Sequence, residues 1–268
     1  MTQLTRQQEL ESLLCAFHLP AFQAHYAGFA RQAEKERIDH VGYLYQLAKT
    51  ESDGRYQRRT ERLLRESRLP KGKHLGDFQL ARFPHISPSL VHEVAEGTCL
   101  DRQENILIFG NPGTGKTHLS ISLAREWCLR GRRVFYTTAA MLVQDLLAAK
   151  RDLRLNQFLR RLDRVEVILI DDISYIPKDR DEGDVLFMLL AECYERRSIA
   201  LTSNLAFSDW NQIFKDQMTT MAAIDRLVHH SVILELNGPS WRAEEAKKKQ
   251  QRQKTKGSEN GSESSDDN

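Results

Sequence analysis

A chain of 268 residues, 40% hydrophobic and 28% charged, can hold one sizeable α/β domain and a smaller companion, and its composition is that of a soluble globular protein. The N-terminus MTQLTRQQELE has no apolar signal core and no apolar run approaches a membrane span, so a cytoplasmic protein that does not enter the membrane is expected. Cys15, Cys99, Cys128 and Cys193 lie far apart with no C-x-x-C pair, which argues against a zinc site or a disulfide framework and for reduced thiols.

Residues 2–50 read as helices. Leu4, Leu10, Leu13, Leu14 and Phe17 fall at near-helical spacing, and Pro20 closes the segment. Phe22, Tyr26, Phe29 and Ala33 mark a second helix, and Val41, Leu44 and Leu47 a third. The simplest use of these stripes is core packing of a small helical domain, in preference to a groove for a partner.

A net charge of +2 hides an uneven distribution. Arg55, Arg58, Arg59, Arg62, Arg65, Arg68, Lys71 and Lys73 face only Glu61 and Glu66 in the same stretch, eight cations against two anions. On a helix Arg55, Arg58, Arg59 and Arg62 share one face. A solubilising helix normally mixes both signs, so this one-sided run points to a polyanionic partner. Tyr56 is the one interleaved aromatic, which favours contact with the phosphates of double-stranded DNA over stacking on single strands.

Pro70, Gly72 and Gly76 mark a linker, and a helix is expected over about 89–98. An alternating pattern follows: strands near 105–109, 134–137, 165–170, 199–202 and 232–236, with helices near 116–129, 141–150, 155–162, 183–196 and 222–228 between them. Such alternation means a five-stranded parallel sheet covered on both faces. From Ala243 the chain has almost no apolar residues and is expected to be disordered. The expected domains are thus a basic helical one over 1–75, an α/β one over 76–242 and a charged tail over 243–268.

The chemistry concentrates at Gly110–Thr117, which fits G-x-x-x-x-G-K-[ST] between a strand and a helix. Gly110, Asn111, Pro112, Gly113, Thr114 and Gly115 form a loop whose backbone N–H groups can wrap phosphate, with His118 just beyond. Lys116 supplies a cation for the β- and γ-phosphates, and the Thr117 hydroxyl ligates Mg²⁺. About 55 residues later the apolar run 167–170 ends in Asp171 and Asp172. Asp171 is placed to hold Mg²⁺ and Asp172 to orient and deprotonate an attacking water. Asn204, after Leu201-Thr202-Ser203, can hydrogen-bond both the γ-phosphate and that water, although a turn would use the same residue. Arg226 and Arg242 could each reach a γ-phosphate, in cis or on a neighbouring subunit, or serve as surface ion-pair partners; spacing does not choose between them.

GNPGTGKTHL, VILIDDISYIP, LTSN, IDRLVHHS and GPSWR, in this order, resemble the IstB-like ATPases, the helper proteins encoded beside the transposase in one class of insertion sequences. The family is similar to the DnaC helicase loaders and, more distantly, to the DnaA initiators within the AAA+ ATPases. The resemblance is close over about 76–242 and looser over the helical N-terminus. It implies a P-loop AAA+ three-layer α/β/α core, ATP and Mg²⁺ as cofactors, and double-stranded DNA, a cognate transposase and further copies of the chain as partners. It implies Lys116 and Thr117 as the Walker A pair, Asp171 as the Walker B residue, Asp172 at the catalytic acidic position, Asn204 at sensor 1, Arg226 as arginine finger and Arg242 at sensor 2. Many relatives carry Glu where this chain has Asp172, so slow hydrolysis is expected. His229 and His230 match the family's paired histidines and are read as structural, with no metal partner evident. The main alternative is a replicative helicase loader on the same ATPase core; a scaffold that binds ATP without hydrolysing it is a third reading.

Overall fold

The computed structural model describes residues 3–175, 180–214 and 216–244. Residues 245–268, most of the tail expected to be disordered, lie outside the described residues. The chain divides into two compact units, 1–62 and 63–268. The division falls near the end of a long helix, where the sequence had suggested the Pro70–Gly76 segment.

The first unit is helical. α1 (Gln3–Ala16), α2 (Pro20–Glu36) and α3 (His40–Glu66) are its elements, and Pro20 opens the second helix at a position where its missing N–H costs nothing. The third apolar stripe and the basic segment are one 27-residue helix, because neither Gly54 nor the charged run interrupts it. Ala21 N–H donates to Glu51 Oε2 at 2.8 Å, and the Tyr43 hydroxyl donates to the Tyr26 carbonyl at 3.2 Å. The stripes are only partly core. Leu14, Ala33 and Leu47 are buried, whereas Leu10, Leu13, Phe17, Val41 and Leu44 are exposed. Helical periodicity reports that a face is apolar; a unit of three helices has too little surface of its own to cover all of it.

The second unit holds a five-stranded, all-parallel sheet in the order β2-β3-β4-β1-β5, formed by β1 (Asn105–Gly110), β2 (Val134–Thr138), β3 (Val167–Asp171), β4 (Ser198–Ser203) and β5 (Ser231–Leu236). Side chains alternate across a strand, and here the alternation divides the sheet residues between two cores. Leu107, Ile168, Ile170, Ile199 and Leu201 face α7 (Ala139–Arg151), α8 (Leu155–Leu162), α9 (Arg180–Cys193) and α10 (Gln217–Val228). Ile106, Ile108, Val167, Leu169, Ala200 and Leu234 face the other core, with α4 (Pro88–Glu96), α5 (Thr98–Asp101) and α6 (Lys116–Leu129). The result is the expected three-layer α/β/α core.

Several boundaries shift for local reasons. The helix expected over 89–98 stops at Gly97, whose φ of 80° caps α4 and starts the short α5. α10 begins five residues earlier than its apolar pattern suggests, because Asp216 Oδ1 accepts the Thr219 amide at 2.7 Å and supplies the cap. At the opposite end of the sheet from the P-loop, buried Asn105 acts as a staple. Its Nδ2 donates to Leu227 O at 3.0 Å and its Oδ1 accepts the Ile199 amide at 2.9 Å, tying β1 to β4 and to the end of α10. No described helix is long and apolar enough to cross a membrane. All four cysteines are free, with Cys99, Cys128 and Cys193 buried.

Candidate functional site

In a parallel sheet the loops after the C-terminal strand ends converge on one edge. Here that edge gathers the loop after β1, the two carboxylates ending β3, Asn204 after β4 and the GPSWR segment after β5. They enclose a cavity of about 400 Å³ whose walls include Lys116, Thr117, Asp172, Asn204, Trp241 and Arg242.

The loop's shape depends on its glycines for two reasons. Gly110 has φ 151° and Gly113 φ 81°, which side-chain-bearing residues rarely adopt. A Cβ at Gly110 would also collide with the Leu236 carbonyl oxygen, and one at Gly113 with Ser240 Oγ. Close packing against β5 and the segment after it therefore demands glycine, in addition to any approach by phosphate. Thr114 is fully buried and donates to the Asn111 carbonyl at 2.9 Å, so its side chain braces the loop. Asn111 and Pro112 are exposed. The Trp241 backbone amide donates to the Gly113 carbonyl at 2.9 Å, and Arg82 lies 4.0 Å over the Trp241 ring, fixing the GPSWR segment against the loop.

Lys116 Nζ donates to the Gly110 and Asn111 carbonyls at 2.7 and 3.0 Å, folded back along the loop it belongs to. Burial pushes this ammonium below its ordinary value, and the Asp172 and Asp171 charges oppose that. Asp171 is the hub of the site. Its Oδ1 accepts from Thr117 Oγ1 at 3.0 Å and from Thr202 Oγ1 at 2.7 Å, and its Oδ2 from the Tyr136 hydroxyl at 3.4 Å. Burial, then the Asp171 charge, pushes the Tyr136 phenol up to about 12. A threonine hydroxyl beside a carboxylate is a hard oxygen donor set, which fits Mg²⁺ and not a thiophilic metal.

Asp172 follows with φ 58°, a left-handed backbone conformation that side-chain-bearing residues rarely adopt. Its amide donates to Thr202 Oγ1 at 2.7 Å. Burial, then the neighbouring Asp171 charge, raises the Asp172 carboxyl above the usual carboxylate range, and Lys116 pulls it back. Asp172 Oδ1 and Asn204 Oδ1 are both buried, and neither has a hydrogen-bond donor among the described residues. Both residues line the cavity. Two unsatisfied acceptors beside a lysine suit a small polar donor such as water. Asn204 itself is held by its backbone amide, which donates to Ser174 Oγ at 3.1 Å.

The two arginines separate. Arg242 lines the same cavity as Lys116, whereas Arg226 lies in other recesses, with Asn105, Tyr194 and His230 in one and with Met218 and Met221 in another. Arg226 donates to the Ala222 carbonyl at 2.9 Å and sits 5.0 Å over the Phe187 ring. His118 Nε2 is 3.1 Å from the His74 carbonyl and its ring faces Phe78. His229 and His230 do acquire an acidic neighbour that the sequence did not suggest, since Glu195 comes within 4.8 Å of both. His230 and Glu195 share their recess with Arg102 and Arg226, whose charges oppose a cation there. His229 Nδ1 pairs with the Tyr194 hydroxyl at 3.1 Å and the His230 carbonyl accepts the Asn105 amide at 2.7 Å, which are structural roles.

The basic residues fall into different settings. Arg55 pairs with Glu51 at 2.8 Å and donates to the His18 carbonyl at 2.9 Å, and Arg58 approaches the same Glu51 oxygen at 3.4 Å. Burial alone would raise the Glu51 carboxyl; the Arg55 hydrogen bond, the Ala21 amide and the Arg58 charge outweigh it and hold it below the usual range. Arg59 and Arg62 are exposed on α3. In the second unit Arg65, Arg68 and Lys71 are exposed, with Arg68 5.3 Å over the Phe135 ring. Lys73 is half-buried and lines the P-loop cavity. Two residues important to this geometry escaped the sequence reading. Thr202 stood in the motif read for Asn204, and Lys73 was counted with its basic neighbours.

An insertion sequence ATP-binding protein of Sinorhizobium fredii is 39% identical over 241 residues, covering 90% of this chain and 81% of the relative. The IS21 ATP-binding protein of Pseudomonas aeruginosa is 37% identical over 240 residues, covering 90% and 91%. Among solved structures, AMPPCP-bound DnaA from Aquifex aeolicus superposes with a TM-score of 0.51 at 22% identity over 63% of this chain and 51% of that one. DnaI gives 0.50 at 19% identity, covering 62% and 89%. Those likenesses show the α/β fold alone. The family model for IstB-like ATP binding proteins matches residues 12–251, and the chain belongs to that family.

Proposed function

We propose that the chain is an ATP-dependent transposition helper, which hydrolyses ATP, assembles into a homo-oligomer on double-stranded DNA, and recruits and stimulates a cognate transposase. The observation that carries the hydrolytic part is the pair of buried, donor-free acceptors, Asp172 Oδ1 and Asn204 Oδ1, in the cavity that holds Lys116.

The residues divide the work as follows. Lys116 leaves its carbonyl partners and pairs with the β- and γ-phosphates. Thr117 and Asp171 hold Mg²⁺, which offsets phosphate charge when bound. Asp172 and Asn204 accept hydrogen bonds from one water. Its oxygen attacks the γ-phosphorus while the bond to the β-phosphate oxygen breaks, Asp172 takes the proton, and ADP and phosphate leave. Arg242 stabilises the phosphates from within the same subunit. Arg226 acts on the ATP of a neighbouring subunit, so that ATP closes the boundary between copies and hydrolysis loosens it.

The insertion-sequence names of the relatives support the transposition role over helicase loading. Binding to DNA through Arg59, Arg62, Arg65, Arg68 and Lys71, with Arg55 and Arg58 partly neutralised by Glu51, is tolerant of sequence and steeply salt-dependent. The test is ATP turnover by purified protein with and without duplex DNA, alongside Asp172→Asn. Slow, DNA-stimulated turnover that the substitution abolishes supports the reading. Turnover unaffected by the substitution moves the base elsewhere.

A further inference from the structure

Lys73 belongs by sequence to a basic run, yet it is the member whose surroundings differ. It is half-buried, and among the described residues its ammonium has no hydrogen-bond or ion-pair partner. A partly desolvated cation without a partner is costly, so its placement calls for an anion supplied from the cavity it lines. The other cations there, Lys116 and Arg242, make the cost larger: three positive groups line one cavity with two carboxylates, Asp77 and Asp172. Burial depresses the Lys73 ammonium, the Arg242 charge adds to this, and Asp171 opposes it.

The backbone around Lys73 is anchored to the phosphate loop and its helix. The His74 carbonyl lies 3.1 Å from His118 Nε2 on α6. Four residues on, Phe78 stacks on Phe83 with ring centroids 5.8 Å apart and an interplanar angle of 7°. Phe78 also lies so close over Gly115 that a Cβ there would come within 3.2 Å of its ring. Lys73 therefore stands at a fixed place on the cavity wall, and its neighbours along the chain cannot swing it outward without breaking these contacts.

We propose that Lys73 is a phosphate ligand of the P-loop site, meeting the polyphosphate of a bound nucleotide in the cavity that it lines together with Lys116, and is not a DNA contact. This rests on the proposed ATP site and adds a cation that the loop motif does not contain. With Lys116, Arg242 and Lys73 converging, the cavity offers three cations to a polyphosphate and has little use for them with a nucleoside that lacks one. Selectivity for nucleotides with long phosphate chains follows.

The test compares Lys73→Ala, Lys73→Arg and Lys116→Ala with the wild-type chain, each checked for an unchanged far-ultraviolet spectrum. Equilibrium binding is measured for a slowly hydrolysed ATP analogue, for AMP and, without nucleotide, for a short DNA duplex. Lys73→Ala should raise the Kd of the ATP analogue about tenfold, as loss of one charge-assisted hydrogen bond does. It should leave AMP and duplex binding unchanged, and Lys73→Arg should recover most of the loss. Unchanged affinity for the ATP analogue, an equal loss for AMP, or a loss confined to DNA would each overturn the proposal. If wild-type protein binds the analogue and Lys116→Ala does not, while Lys73→Ala binds normally, only the role of Lys73 is lost. If wild-type protein itself ignores the analogue, the ATP site goes with it.

Discussion

Thr202 Oγ1 donates to Asp171 Oδ1 at 2.7 Å while accepting the amide hydrogen of Asp172, also at 2.7 Å. One hydroxyl on β4 thus ties the Asp171 carboxylate and the Asp172 backbone together at the end of β3, where the proposed metal ligand and the proposed base stand side by side. Thr202→Val keeps the volume and removes both bonds. ATPase kcat should fall roughly 10–100-fold, the usual cost of losing an outer-shell partner, with affinity for the ATP analogue little changed. Thr202→Ser should restore turnover, which a purely packing role for the methyl group would not allow.

Arg226 and Arg242 predict opposite phenotypes. Arg242 shares the cavity with Lys116, so Arg242→Ala should weaken ATP binding by the single chain. Arg226 lies in other recesses, so Arg226→Ala should bind the analogue normally and fail to hydrolyse it. Mixing Arg226→Ala with Lys116→Ala subunits should recover part of the activity, because some boundaries then pair an intact P-loop with an intact arginine. Turnover assays across mixing ratios check this; no recovery at any ratio contradicts action in trans.

Asn105 predicts a stability effect away from the chemistry. Asn105→Ala leaves the buried Ile199 amide and the Leu227 carbonyl without partners. The cost should be about 1–3 kcal/mol in denaturant unfolding, with affinity for the ATP analogue retained under native conditions.

Glu51 gives a pH-dependent prediction within the first unit. Its folded-state value is held below the ordinary carboxylate range, so its stabilising contribution is present at neutral pH and is lost as pH falls through that lowered value. Glu51→Gln should therefore be less stable than wild type by about 1–3 kcal/mol at neutral pH. The gap should close as the medium is acidified toward the point where wild-type Glu51 protonates. Thermal melts of both proteins across that range measure it.

The central sheet and the P-loop were readable in the sequence because both are local signals. Runs such as 106–109 and 167–170 are continuously apolar, as strands buried on both faces must be, and the loop motif needs no partner to be seen. What stayed hidden depends on pairings between distant residues. Eight cations were counted between residues 55 and 73, but Glu51, just upstream of that stretch, takes up Arg55 and Arg58. Lys73 looked like its basic neighbours until the fold carried it to the P-loop. Leu13, Phe17 and Val41 have helical spacing, which says that a face is apolar and nothing about whether this chain covers it. Thr202 showed no signal of its own, since a threonine ending a strand is ordinary until the carboxylates beside it are located.

The most direct test of the account is particle mass in solution, by sedimentation or electron microscopy, for the chain mixed with duplex DNA in the presence and absence of a slowly hydrolysed ATP analogue. Large assemblies that form on DNA with the analogue, and are missing with ADP or with Arg226→Ala, are the expected result. A single protomer under every condition, with DNA in excess and nucleotide saturating, would contradict it.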